Sequence, residues 1–348
     1  MATTLKKLAE HTGYSLSTIS RVLNNDPTIT VGEQTRRKIL EAAHQLGYTG
    51  GSGRRVRPES GPSMTIAIAE MLTPAQQMSD PYFLYLKNFI EQACFEYKIQ
   101  TVPLYSDGNQ YMSLSQSEID GIIAIGIFSK NQIEALSQLS SNITFLDSSP
   151  DELHHDSVIL NFELGIAQAI DHLRSWNHTK IGFVGPKRLI DEQNTLVPEP
   201  RRRFFEHYMR ESGIFRPEFV IEAPMRDKTA AAREIVEHIS SGVEMPTALV
   251  TVNEETAIGV IQALHSLDLR APDDLSIVSF NDTVMSSIIS PALTSVSTHL
   301  DYMSATAVKL VSERASTPQH RPVRHFPQKV VIPPTLVVRE STAPYLSE

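Results

Sequence analysis

Cysteine is almost absent. Cys94 stands alone in 348 residues, so no intrachain disulfide can form and nothing points to an oxidising compartment. No uncharged apolar run approaches the ~18 residues that a membrane-spanning helix needs. The opening stretch MATTLKKLAEH lacks the apolar core of a secretory signal, which sets the expectation of a cytoplasmic chain with no membrane contact. Enzyme signatures are missing as well. IAIAEMLTP lacks the G-x-G-x-x-G of a dinucleotide fold, GFVGPK is too sparse, and no P-loop or G-x-S-x-G occurs. His154 and His155 are adjacent, so they point apart, and no second His/Cys cluster supports them as metal ligands. Asp and Glu are plentiful, but no pair has a catalytic context. The expectation is a protein that is not an enzyme and holds no cofactor or metal.

What is present is an uneven charge. The net charge is −9, yet residues 1–60 carry nine Lys/Arg against five Asp/Glu, and the remainder 22 against 35. A small basic head on a large acidic body points to nucleic acid at one end. A length of 348 residues, 41% of them hydrophobic and 20% charged, suits two or three globular domains.

The basic head reads as three helices. Thr4 can cap a helix over 5–11 with Leu5, Leu8 and Ala9 on one face, and Gly13 permits a tight turn. Ser15 can cap a second helix over 16–24, buried through Ile19, Val22 and Leu23. Thr30 and Glu33 form a capping box that opens a third over 31–46, with Ile39, Ala42, Ala43 and Leu46 inward and Gly47 as its stop. Two short helices joined by a Gly-containing turn describe a helix-turn-helix. Leu16, Ser17, Thr18, Ser20 and Arg21 are left outward. Hydroxyls at a helix N-terminus suit phosphate oxygens. Arg21 can reach guanine O6 and N7, and Leu16 can meet a thymine methyl.

The stretch TLKKLAEHTGYSLSTISRVLNNDPTITVGEQTRRKILEAAHQLGY closely resembles the DNA-binding headpiece of the LacI/GalR family of bacterial transcription regulators. Its opening T-L-x-x-L-A and the helix S-x-x-T-I-S-R-V-L-N carry the resemblance. The resemblance implies that Leu16, Ser17 and Arg21 read bases in the major groove. It also implies that Thr4, Thr18, Ser20, Asn24, Thr35 and Tyr48 contact or position the sugar-phosphate backbone. Residues 49–63, TGGSGRRVRPESGPS, are a flexible linker by composition. In the family this stretch becomes a hinge helix on DNA, with an apolar wedge in the minor groove. Val56 takes the wedge position, where a longer Leu is usual. The Gly cluster weakens any helix by roughly 1 kcal/mol per position, and Arg54, Arg55 and Arg57 can compensate through phosphate.

From residue 64 to 340, apolar strand-like runs alternate with helical patterns. TIAIAEM, TVPLYS, GIIAIG, ITFLD and SVILNF form one set; KIGFVG, FVIEA, ALVTVN and LSIVSF form a second. Continuous apolar strands with helices between them predict parallel sheets covered on both faces. The expected fold is thus an all-α helix-turn-helix headpiece (1–48), a linker (49–63), an α/β body of two doubly wound parallel-sheet lobes (64–340) and a tail (341–348). The body resembles the family's effector domain, itself similar to periplasmic sugar-binding proteins. FLD, RRRFFEHY, VNEETAIG and SFND followed by SPALTSVS carry that likeness. It implies chain crossovers near 162, near 290 and near 320–330, so that 64–162 with 291–325 make one lobe and 163–290 with 326–340 the other.

Such a fold binds its ligand between the lobes, at the C-terminal ends of strands. The resemblance makes Asp147, Arg201, Asn253 and Asn281 the effector candidates, with Asp282 either assisting or structural. Asp147 could instead cap a turn, and Asn253 the helix after it. Arg201 is preferred within the run Arg201–Arg203 because it lies one helical turn before Phe205. Asp80, Pro81, Tyr82 and Phe83 can line the first lobe's side of the cleft or belong to its core. Where relatives place a stacking aromatic, IEAPMRDK offers only Met225. The resemblance further implies a homodimer on pseudo-palindromic operator DNA. RESTAPYLSE carries no heptad run, so the tetramer-forming tail of some relatives is not expected. A repressor released by a small sugar is the leading reading, with a corepressor-dependent or activating regulator as the alternative. The short segment 107–120, with DPYF and SFND, resembles the subgroup of the family that controls β-galactoside use, and that resemblance implies a galactoside as effector.

Overall fold

The computed structural model describes residues 5–23, 31–45, 64–106, 110–115, 117–190, 196–316 and 321–346. The chain divides into two compact units, residues 1–61 and 62–348.

The first unit holds helices α1 (Leu5–Thr12), α2 (Leu16–Leu23) and α3 (Glu33–Gln45). Leu8, Ile19, Val22, Ile39, Ala42 and Ala43 form its core, one stripe from each helix. Gly13 makes the α1–α2 turn at φ +76°, a left-handed conformation that glycine adopts without strain. Ser15 then caps α2, its Oγ accepting from Thr18 N at 3.1 Å. The expected contacts at Thr4, Asn24, Thr30, Tyr48 and Val56, with Leu46, Gly47 and the linker 49–63, lie outside the described residues.

The second unit runs β1 (Thr65–Glu70), α4 (Pro74–Gln77), α5 (Pro81–Glu96), β2 (Gln100–Pro103), β3 (Tyr105–Ser106), β4 (Tyr111–Met112), β5 (Gly121–Ile125), α6 (Lys130–Ser137), β6 (Ile143–Leu146) and β7 (Asp156–Leu160). It continues with α7 (Phe162–Ser175), β8 (Ile181–Val184), β9 (Arg188–Ile190), β10 (Leu196–Pro198), α8 (Pro200–Glu211), β11 (Val220–Ile221), α9 (Lys228–Ser240), β12 (Ala248–Thr251) and α10 (Glu254–Ser266). It ends with β13 (Ser276–Asn281), α11 (Val284–Ile288), β14 (Thr294–Ser297), α12 (Leu300–Arg314), β15 (Lys329–Ile332) and β16 (Thr335–Val337).

Two six-stranded sheets result, ordered β15-β7-β6-β5-β1-β2 and β11-β8-β12-β13-β14-β16. The first is parallel throughout. The second is parallel except at its edge, where β16 runs antiparallel to β14. The continuous apolar runs have a plain cause in the second sheet. Val250 and Val278 enter the core under α7 and α8, while their neighbours Leu249 and Ile277 enter the core under α9 and α10. Both faces are buried, so neighbouring positions along the central strands are apolar on either face. The α9–α10 contact depends on Gly259, where a Cβ would lie 2.7 Å from the Lys228 carbonyl oxygen. In the first lobe Cys94 is buried on α5, and its thiol is pushed up to about 12 by that burial.

The crossovers differ from expectation at two of three places. The first falls at Asn161, between β7 and α7. The second lies near 298, because β14 pairs with β13 and stays in the second sheet. The third lies at Pro333–Pro334, since β15 pairs with β7 in the first sheet and β16 with β14 in the second. Residues 294–297 therefore belong to the second lobe and 329–332 to the first. KVVI carries an apolar run whereas TSVS does not, and for both the choice of sheet is a tertiary matter that no local pattern encodes.

Candidate functional site

The surface of α2 divides cleanly. Ile19 and Val22 are buried, whereas Leu16 is 50% exposed and Ser17 and Arg21 are also exposed. Thr18 and Ser20 of α2 are half-buried, as is Thr35 on α3. The hydroxyls at the start of α2 cluster on Ser15, whose Oγ lies 2.9 Å from Ser17 Oγ and 2.8 Å from Thr18 Oγ1. A phosphate placed there would meet hydroxyls already gathered at a helix N-terminus.

In the second unit, the strand ends bring distant residues together. Asp147 follows β6 at φ 72°, Asn281 ends β13 at φ 96°, and Asn253 follows β12. Arg201 sits in the first turn of α8, and Tyr82 and Phe83 in that of α5. With Asp80, Phe162 and Met225, these six candidates line one narrow space of about 30 Å³ between the lobes. That is room for water and far less than a sugar ring needs.

The side chains close this space by holding one another. Tyr82 Oη donates to Asp147 Oδ1 at 3.1 Å. Asp80 of the first lobe pairs with Arg226 of the second at 3.5 Å. Arg201 Nε donates to Glu199 Oε1 at 2.6 Å and its Nη1 to the Val252 carbonyl at 2.8 Å. Its guanidinium stacks 4.9 Å from the Phe162 ring centroid and 5.8 Å from that of Phe280. Asn253 lines the space and caps α10, accepting from Thr256 N at 3.0 Å while donating to the Met225 carbonyl at 3.0 Å. Met225 stands where an aromatic was sought, and its sulfur lies 3.5 Å from Arg201 Nη2. Asp282 turns away to pair with Arg339 at 2.7 Å, which is a structural role.

Burial raises the Asp147 carboxyl to about 6, although Arg201 and the Tyr82 hydroxyl both favour its charged form. The folded state therefore binds this proton more tightly than the unfolded chain does. The resulting stabilisation is complete below about pH 4 and disappears as pH rises through about 6. Asp147→Asn, which keeps an acceptor for Tyr82, should stabilise the protein by about 1–3 kcal/mol at pH 8 and by little at pH 4. Thermal unfolding across that range tests this, and equal shifts at both pH values would contradict it.

Three participants escape sequence reasoning. Glu199 is the fully buried partner of Arg201 and also caps α8 by accepting from Arg202 N at 2.8 Å. A Glu directly before Pro200 at a helix start was the available signal. Arg226 and Phe162 had none, because only the tertiary fold brings them to the cleft.

Residues 4–50 match the bacterial regulatory proteins of the lacI family, and residues 170–342 match a periplasmic binding protein-like domain. The HTH-type transcriptional repressor MelR of Bacillus subtilis is 31% identical over 346 residues, covering 97% of this chain and 96% of MelR. The HTH-type transcriptional regulator GalR of Streptococcus thermophilus is 28% identical over 340 residues, covering 97% of this chain and 99% of that protein. Among solved structures, the lac repressor dimer bound to operator and the anti-inducer ONPF superposes with a TM-score of 0.64 at 22% identity, covering 99% of this chain and 100% of that one. The complex of the transcriptional regulator CelR with cellobiose gives 0.66 at 18% identity, covering 97% and 99%. Among the described residues, no helix is long and apolar enough to cross a membrane. With these matches spanning the helix-turn-helix, the two-sheet body and nearly the whole length, the chain belongs to the lacI family of bacterial regulatory proteins.

Proposed function

We propose that this chain is a sequence-specific transcriptional repressor, acting in the cytoplasm as a homodimer on a pseudo-palindromic operator and released by a small sugar. The observation that carries the reading is the division of α2, whose Ile19 and Val22 are buried while Leu16, Ser17 and Arg21 face outward. A dimer follows from the need for two half-sites, and MelR and the lac repressor dimer support both repression and that assembly. A galactoside is the effector we favour, on the strength of the short segment 107–120 and the GalR and MelR likeness.

The effector must displace Tyr82 from Asp147 and reorganise the Asp80–Arg226 pair to enter. Its release of DNA then depends on differential affinity for two arrangements of the lobes. Selection from a random duplex library at a stated salt concentration tests the DNA reading. A site near 14–20 base pairs with two related halves is expected from roughly one helical turn between half-sites. Arg21→Ala should cost about 1–3 kcal/mol on that site and relax one base position. A uniform loss on all sequences would make Arg21 a phosphate contact instead.

A further inference from the structure

One ion pair ties the two lobes to each other away from the crossovers. Asp80 stands just before α5 in the first lobe, and Arg226 shortly before α9 in the second. Arg226 Nε lies 3.5 Å from Asp80 Oδ2. Among the described residues no other ion pair joins the lobes.

Each charge depends on the other. The Asp80 side chain is 5% exposed. Burial pushes its carboxyl above the ordinary range, although Arg226 and Arg201 both favour the charged form. Arg201 cannot take the place of Arg226, because Glu199 holds its Nε at 2.6 Å. On the other side, Arg226 Nε is buried and makes no hydrogen bond, so Asp80 is its counter-charge. The guanidinium also lies 5.8 Å from the Phe83 ring centroid, on α5 of the opposite lobe. A closed cleft tolerates both charges or neither, but one charge alone is left uncompensated inside. Water reaches that charge once the lobes part. Each lobe has its own sheet and its own core, so the lobes can part without unfolding.

We propose that Asp80 and Arg226 form a latch that keeps the effector-free lobes closed, and that loss of either charge alone opens them. The closed arrangement is then the one that holds operator DNA, and this second step rests on the repressor reading above.

Hydroxyl-radical footprinting of the full chain, with no sugar present, tests the latch. Tyr82 is 6% exposed and lines the narrow space, whereas Tyr97 is 64% exposed and Phe145 is fully buried. Arg226→Met or Asp80→Asn alone should raise oxidation of Tyr82 about fivefold. Tyr97 should stay as it was, and an unoxidised Phe145 shows that the chain is folded. Arg226→Lys keeps a cation and should remain near the parent. Asp80→Asn combined with Arg226→Met removes both charges and should close the cleft again. Tyr82 as protected in both single variants as in the parent would overturn the latch. Equal exposure in the single and double variants would also overturn it, since packing against Phe83 would then be what holds the lobes. Operator affinity of effector-free Arg226→Met should fall about tenfold, in step with the fraction that stays closed. An exposed Tyr82 with undiminished operator affinity would overturn the coupling to DNA and leave the latch standing.

Discussion

Arg201→Ala is expected to cost about 3–5 kcal/mol of stability and to abolish the response to effector. The reason is the partner left behind. The Glu199 side chain is 0% exposed, and Arg201 supplies its counter-charge at 2.6 Å. Truncation strands that carboxylate in the interior and removes the donor to the Val252 carbonyl. It also takes the cation from between Phe162 and Phe280. The two effects can be separated with a double variant. Glu199→Gln with Arg201→Met removes both charges while filling similar volume, so most of the stability should return. The effector response should not, because the planar donor is still missing. Trp176, the only tryptophan, sits in the same lobe and reports urea unfolding. A single variant within about 1 kcal/mol of the parent would show the pair to be weaker than its burial implies. A double variant that still releases DNA would remove Arg201 from the effector contacts.

The second large effect is expected at Glu254, whose side chain does not line the cleft. Its carboxylate accepts from Thr283 N at 2.8 Å, Thr283 Oγ1 at 2.7 Å and Ser286 N at 3.2 Å, as well as from Ser286 Oγ. These bonds tie α10 to α11 and to the turn that follows Asn281. Glu254→Ala leaves the buried Thr283 N–H and two buried hydroxyls without this acceptor, while Ser286 N keeps the Thr283 carbonyl at 3.1 Å, and should cost about 3 kcal/mol. Glu254→Gln keeps an acceptor oxygen and should cost about 1 kcal/mol. Both should weaken the effector in the same order, because Asn281 holds φ 96° only while its turn is fixed. Equal stability of the two variants would mean that the hydroxyls, rather than the carboxylate, hold this corner.

Much of this architecture was legible in the sequence, for identifiable reasons. The helix-turn-helix has a 3.6-residue apolar stripe and a glycine at its turn, both local signals. The cleft candidates each stand one residue beyond an apolar run or at a helix start, so a strand's end marks them. What remained hidden depends on contacts across the chain. Nothing near Asp80 announces Arg226, 146 positions later, and nothing near 294–297 names the sheet it joins. Helix α6 does carry a local signal, because Ser129 and Gln132 spell its capping box. The hairpin β9–β10 had no comparable mark, since Arg188–Ile190 and Leu196–Pro198 are too short to show alternation.

The buried thiol of Cys94 has a practical consequence. A sulfur that is wholly enclosed and held protonated at neutral pH is a poor nucleophile toward maleimides and thiosulfonates. The natural chain is thus nearly silent to such reagents. Cysteines introduced at exposed Leu153 of the first lobe and Ile288 of the second would then be the only reactive positions. A dye or spin-label pair there would turn any movement of one lobe against the other into a distance read in solution, without first removing the native cysteine.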